Sequence, residues 1–238
     1  MAGEKSVHDE RGSFEAENEK RGGQSMTYRH VVFDFDGTLA DSLASLIAAF
    51  RHVAPQFRLN PSLDLATARH MPTRELFKQL GVSFWKLPRL VRALQAETAK
   101  DAGQLKLFAG VPEMLTVLAD RGCRLGILSS NWEDAIRACL RANGIEDRFA
   151  FIVGYPRLFG KAKALRRILR REAIPRESLL YVGDELRDVE AARRAKVASA
   201  AVTWGFNAEA LLVQGNPTFL VRTPAELVAA IEPTTEAD

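Results

Sequence analysis

The chain has 238 residues, 47% of them hydrophobic, with 26% charged residues of mixed sign and a formal net charge of +3. That is enough apolar material for one full-sized core, or for a core with a small satellite domain. No apolar run approaches the ~18–20 residues needed to span a bilayer, which excludes a helical membrane protein at the level of sequence.

The first 25 residues are rich in Glu, Lys, Arg, Gly and Ser and lack the apolar centre of a signal peptide. Such a composition does not bury enough surface to offset chain entropy, so residues 1–25 are expected to be a disordered extension. Structured sequence begins just after Met26, which is a candidate start of its own. Tyr28 to Phe35 is a β-branched and aromatic run, the signature of a buried strand. From Ser42 to Ala54 the pattern turns helical, with Leu43, Leu46, Ile47 and Phe50 on one face. Residues 60–103 hold further helical stretches broken at Pro61, Pro72, Gly81 and Pro88, with no clear strand.

After Gly110 the texture alternates. Helices are expected at 111–121, 132–142, 161–172, 186–195 and 224–231, and strands at 124–128, 149–153, 179–182, 197–202 and 218–221. Strands alternating with helices of 10 to 15 residues imply βαβ units and a parallel sheet covered on both faces. The expected fold is therefore α/β, a Rossmann-like parallel sheet core with helices on both faces. Residues 26–41 and 110–238 would form this core, and 42–109 an inserted all-helical cap.

Much of the positive charge sits between Lys161 and Arg171, where Leu165, Ile168 and Leu169 fall at helical spacing. The cations there read as a solvated helix face, because no aromatic residues interleave them as in nucleic-acid grooves. Cys123 and Cys139 lie in no CxxC pair, and no Cys/His cluster has zinc spacing, so two buried, reduced thiols in a cytoplasmic protein are expected.

In open α/β sheets, ligands bind outside the carboxyl ends of the strands, near the topological switch point. The polar residues following the expected strands are Asp34, Asp36 and Thr38, then Ser129, Ser130 and Asn131, then Gly183, Asp184, Glu185 and Asp188. Gly160 and Lys161 open a helix. Carboxylates, one ammonium and two hydroxyls suit an anion held beside a divalent cation. A carboxylate can attack phosphorus to form an acyl phosphate, and a second acid two residues on can protonate the leaving oxygen and then activate water. Ser130 with Glu133 has the spacing of a capping box, so the 129–131 turn is expected to open a helix whose N–H groups favour phosphate.

The run Asp34-Phe35-Asp36-Gly37-Thr38 resembles the first motif, DxDGT, of the haloacid dehalogenase superfamily. Leu128-Ser129-Ser130-Asn131 is similar to its second, Lys161 to its third, and Gly183-Asp184 through Asp188 to its fourth, GDxxxD; all four stand in the family's order. The resemblance covers roughly residues 28–232. It implies that Asp34 is the nucleophile and a Mg²⁺ ligand, and that Asp36 is the acid/base and lends the metal its backbone carbonyl. Asp184 would be a further metal ligand, Ser129, Ser130 and Lys161 would bind phosphate, and Thr38 and Asp188 would support them. Ala162 stands where the family's third motif often has proline.

True dehalogenases of the superfamily lack the second aspartate, so Asp36 points to a phosphatase, and the inserted cap resembles that of the phosphoglycolate phosphatase-like members. The expected activity is hydrolysis of a small phosphate monoester, phosphoglycolate-like or a sugar phosphate, with Mg²⁺ as cofactor and neither nucleic acid nor membrane as partner. No sequence feature sets an oligomeric state. Alternatives are a phosphomutase acting on a sugar phosphate and a catalytically idle binding protein; the intact set Asp34, Asp36, Lys161 and Asp184 argues against the second.

Among the remaining polar residues, His30, His52 and His70 have no ligand spacing and read as structural or exposed. In the cap, Arg69, His70, Arg74, Lys78, Lys86 and Arg89 are candidates for reading substrate, though a solvated face explains most of them. Trp204-Gly205-Phe206, after a strand, fits core packing as well as a cleft wall.

Overall fold

The β-branched run after Tyr28 forms β1 (His30–Phe33), the strand about which the rest is arranged. Its alternation sorts side chains between the two faces of the sheet. Val31 and Phe33 join the apolar cluster on one face, and Val32 joins that on the other. The computed structural model describes residues 28–60, 64–83, 85–155, 157 and 159–231. The expected extension at 1–25 lies outside the described residues.

The other strands are β2 (Arg124–Ser129), β3 (Phe151–Gly154), β4 (Leu179–Gly183), β5 (Ala198–Val202) and β6 (Phe219–Val221). All pair in parallel, in the order β3-β2-β1-β4-β5-β6. The chain builds outward from β1 through β2 to β3, then returns to the other side of β1 for β4. The switch point thus falls beside β1, where Phe33 pairs with both Ile127 and Val182.

The connections are helical. On one face, α5 (Val111–Asp120), α6 (Glu133–Ala142) and α10 (Pro224–Ala230) bury Leu115, Leu118, Ile136, Leu140 and Leu227 against the sheet. On the other, α7 (Lys161–Arg171) and α8 (Leu186–Ala195) bury Leu165, Ile168, Leu169 and Ala192. A short α9 (Glu209–Val213) precedes β6. The α/β sheet read from the sequence is the observed fold. The exposed side of α7 carries Lys163, Arg166, Arg167, Arg170 and Arg171, the solvated basic face. Both cysteines are buried and form no disulfide. No helix among the described residues is long and apolar enough to cross a membrane.

Between β1 and α5 the described chain is helical: α1 (Leu43–Val53), α2 (Leu65–Ala68), α3 (Thr73–Gln79) and α4 (Leu87–Thr98), with 3-10 turns at Ala54–Phe57 and Ala99–Gln104. Ala49, Phe50, Val53, Ala54, Leu90 and Leu94 form a small apolar core of their own. The outgoing and returning chains run side by side, with Asp41 N–H donating to the Lys106 carbonyl at 2.9 Å and Phe108 N–H to the Leu39 carbonyl at 3.0 Å.

Three expectations are corrected. β3 begins at Phe151 rather than 149, because a 3-10 turn at Glu146–Arg148 holds the preceding residues. β1 ends at Phe33, although the Asp34 N–H still donates to the Val182 carbonyl at 2.7 Å and extends the ladder by one bond. The capping box of Ser130 and Glu133 does not form: α6 starts at Glu133 with Trp132 at the N-cap and no side-chain cap. The preceding turn is held instead by Ser129 Oγ accepting from Asn131 N–H at 3.1 Å, and by Asn131 Oδ1 accepting from Trp132 N–H at 2.8 Å.

Candidate active site

Asp34 directly follows β1 and is 2% exposed. Its Oδ1 accepts from the Phe35 N–H at 2.8 Å, and its Oδ2 from Lys161 Nζ at 2.5 Å. Lys161 opens α7, and the apolar positions Ala164, Leu165 and Ile168 that press this helix to the sheet also carry residue 161 inward. Its Nζ donates to Asp188 Oδ1 at 2.6 Å as well, so one buried ammonium serves two buried carboxylates. Lys163, two residues on, is exposed. Asp188 is fixed in turn, accepting from the Glu185 N–H at 3.2 Å as α8 begins.

Burial governs the electrostatics. It pushes the Asp34 carboxyl up to about 7, against the pull of Lys161. For Lys161, burial alone acts downward, but Asp188 and Asp34 outweigh it and leave its pKa raised. Asp184 is raised well above the usual carboxylate range, by burial first and then by the charges of Glu185, Asp34 and Asp188.

Asp184 follows β4. Its Oδ1 accepts from the Thr38 hydroxyl at 3.0 Å and its Oδ2 from the Phe206 N–H at 2.7 Å. Two glycines permit this approach. Gly37 has φ +75°, and a Cβ there would overlap the Asp184 carboxylate; a Cβ on Gly205 would overlap both Asp184 and the Gly37 carbonyl.

Carboxylate oxygens of Asp34, Asp184 and Asp188 lie within 4.8 Å of one another. Asp184 makes no ion pair among the described residues, whereas Asp34 and Asp188 share Lys161. A buried carboxylate without a positive partner is costly. Two oxygens on opposite sides of a Mg²⁺ ion stand ~4.2 Å apart, from metal–oxygen bonds of about 2.1 Å. The donor set therefore fits a hard divalent cation. The Asp36 carboxylate is not in this group.

Asp36 is half-buried, and its Oδ2 accepts from Asn131 Nδ2 at 3.1 Å. Burial raises its pKa, with hydrogen bonds from Ser42 and Asn131 acting the other way. Ser129 ends β2 and is fully buried, while Ser130 lies in the wall of a cavity of about 220 Å³ that also reaches Asp36, Gly37 and Asp184. The Ser130 carbonyl accepts from Gln95 Nε2 of α4.

Several residues beyond the four motifs enter the site. Trp204 Nε1 donates to the Thr38 carbonyl at 3.0 Å, and Gly205 and Phe206 pack against Asp184. Arg187 pairs with Glu185, whose Oε2 accepts from the Thr73 hydroxyl of α3 at 2.6 Å. Of the basic candidates at 69–89, Arg69 Nε donates to the Phe206 carbonyl at 3.1 Å, and Arg74 stacks over Phe159 at 5.1 Å. His70, Lys78, Lys86 and Arg89 line neither of the two described cavities. The 204–206 loop, for which the sequence left core packing and a cleft wall both open, lines the cavity, in keeping with its place after the carboxyl end of a parallel strand.

A parallel α/β sheet that gathers buried aspartates and a buried lysine at its switch point is the layout of a hydrolase built to handle a phosphoryl group. The profile of the haloacid dehalogenase-like hydrolase family matches residues 31–202, and the chain belongs to that family, among its phosphatase-type, phosphoglycolate phosphatase-like members. A protein named phosphoglycolate phosphatase from Synechococcus elongatus is 38% identical over 203 residues, covering 84% of this chain and 96% of its own. Another of that name, from Xanthomonas campestris, is 32% identical over 187 residues, covering 75% and 84%. A solved haloacid dehalogenase-like hydrolase from Streptococcus pneumoniae superposes with a TM-score of 0.72 at 25% identity, covering 85% of this chain and 97% of that one.

Proposed function

We propose that this protein is a cytoplasmic, Mg²⁺-dependent phosphatase that hydrolyses a small phosphate monoester through an aspartyl-phosphate on Asp34. An Asp34 carboxylate oxygen forms the bond to phosphorus as the ester P–O bond breaks, and the departing oxygen takes a proton from Asp36. Asp36, now a carboxylate, removes a proton from water; the resulting hydroxide attacks phosphorus, and inorganic phosphate leaves as the Asp34 carboxylate is restored. General acid–base help of this kind is worth ~10² to 10⁴ in rate.

Lys161 offsets the negative charge brought together when a carboxylate meets a phosphoryl group, and Asp188 holds its ammonium in place. Ser130 and Ser129 stand at the end of the neighbouring strand as phosphate donors. When bound, Mg²⁺ would be held by Asp34, Asp184 and the Asp36 carbonyl, and would supply Lewis-acid neutralisation of the phosphoryl oxygens. Residues 42–109 act as a cap over the strand ends, moving about the paired chains at Leu39–Asp41 and Lys106–Phe108 to admit substrate and exclude water.

The observation that carries the reading is the buried Asp34 carboxylate, bonded to Lys161 at 2.5 Å and within 4.8 Å of the Asp184 carboxylate. Asp34→Asn is expected to reduce Mg²⁺-dependent turnover of p-nitrophenyl phosphate to background while circular dichroism shows an intact fold. Turnover unchanged in that variant would remove Asp34 as nucleophile. Release of inorganic phosphate, measured alongside, separates hydrolysis from transfer to a sugar.

A further inference from the structure

The cavity over Asp36 and Asp184 has walls of two characters. The strand-end side carries the charges: Asp36, Asp41, Asp184 and Glu185, with Arg187 the one cation among the lining residues. That guanidinium already pairs with Glu185, whose other oxygen takes the Thr73 hydroxyl. The helical side is apolar. Leu46, Leu76, Phe77, Val91 and Leu94 line it, and Leu46 is 41% exposed, an aliphatic side chain left open toward the space.

Ser45 of α1 brings a hydroxyl to that side and Ser42 hydrogen-bonds Asp36, but the other polar side chains there are spent inside the protein. Thr73 donates to Glu185, Gln95 to the Ser130 carbonyl, and Thr98 to the Leu94 carbonyl of its own helix at 3.2 Å. Among the described residues, the helical segment between Leu43 and Gln104 brings no cation to this cavity. Phe108, Trp204 and Phe206 complete the apolar lining.

A phosphoryl group seated at Asp34 would send its ester oxygen past Asp36 and the rest of the molecule into this space. A carboxylate or second phosphate carried there would lose water to leucine and phenylalanine side chains with no cation on the helical side to replace it. An uncharged carbon body would instead bury its surface against them. The cavity's volume, about 220 Å³, is below the ~300–1,000 Å³ typical of drug-sized ligands, so the phosphoryl group and one ring or a short branched chain would fill it.

We infer that the substrate is the phosphate monoester of an uncharged, mainly apolar alcohol about one ring in size, selected by the α1, α3 and α4 side chains Leu46, Leu76, Phe77 and Leu94. The inference rests on the phosphatase reading and sharpens it. It also sets this chain apart from what the relatives' names describe, because the glycolate leaving group carries a carboxylate for which the cap side of this cavity, among the described residues, holds no cation.

The test compares kcat/KM of the full-length enzyme with Mg²⁺ for benzyl phosphate and phosphoglycolate, both esters of alcohols, with acetyl phosphate as a small probe that leaves the apolar wall empty. Benzyl phosphate is expected to exceed phosphoglycolate by about a hundredfold, within the 10- to 200-fold range that apolar pocket contacts give. Phosphoglycolate turned over equally well or better would overturn the inference, while hydrolysis of any of the three would leave the phosphatase reading standing. Hydrolysis of none of the three would overturn both. Leu76→Arg, checked for folding by its thermal melt, is expected to lower kcat/KM for benzyl phosphate and raise it for phosphoglycolate. An unchanged ratio in the folded variant would count against the inference; if the variant does not fold, the wild-type ratio decides.

Discussion

Replacing Lys161 by methionine keeps most of the length of the side chain and removes its ammonium. The ammonium, at 3% side-chain exposure, contacts carboxylates at 3% and 1%, so the variant would leave Asp34 and Asp188 facing each other without a cation. Breaking a buried pair by removing one partner costs ~3–5 kcal/mol, and in a chain of this length each kcal/mol moves the Tm by ~2–4 °C, so a fall of about 6–20 °C is expected.

The deficit should depend on pH with a definite sign. Lys161 opposes the rise of the Asp34 pKa, so its loss carries that pKa still further above about 7, while the unfolded carboxyl stays near 3.8. A carboxyl raised in the folded state contributes stability below its unfolded pKa and loses it as pH climbs toward the folded one, at up to ~1.4 kcal/mol per pH unit. Urea unfolding of metal-free protein at pH 5, 6, 7, 8 and 9 should therefore show a gap that is constant up to about pH 6 and widens above about pH 7, where the parent has stopped losing stability through Asp34 and the variant has not. Lys163→Met, on the exposed side of the same helix, should stay within ~0.5 kcal/mol. If Lys161→Met unfolded within about 1 kcal/mol of the parent at pH 7, the three side chains would not form the buried network described, and the phosphate-neutralising role built on it would go too.

Asp184→Asn removes a carboxyl whose pKa is raised in the folded state, so the metal-free variant should be more stable than the parent at pH 8, with the advantage vanishing as pH falls below about 4. Magnesium should stabilise the parent by ~2.7 kcal/mol at a hundred times its Kd and leave this variant's melting temperature unmoved; an equal rise in both would place the ion elsewhere. Gly37→Ala, at φ +75° with its Cβ directed into the Asp184 carboxylate, should cost more than the ~1 kcal/mol of an ordinary strained substitution and abolish the magnesium-induced melting shift. A wild-type magnesium response in that variant would show that the loop does not hold Asp184 against the ion.

The parts of this site visible in sequence are those in which a side chain does the chemistry. Asp34, Lys161, Asp184 and Asp188 announce themselves because a charged residue beside Phe33 or Val182, or at the inward edge of α7, is costly unless it is paired or used. The sheet was visible for a related reason: a buried parallel strand needs an unbroken apolar run, and Val31-Val32-Phe33 supplies one on both faces. What sequence reasoning missed acts through the backbone or through distance. The Phe206 N–H holds Asp184, and any residue except proline has an N–H. Gln95 and Thr73 matter only because α4 and α3 arrive over strands far away in the chain. The spacing of Ser130 and Glu133 misled for a third reason: Asn131 closes the turn with its own Oδ1 and sends its Nδ2 to Asp36. The turn therefore ties the second strand end to the proposed acid rather than capping a helix, and the helix begins only after it. A local motif was outcompeted by a contact spanning 95 residues, as expected where a fold's irregularities serve its chemistry.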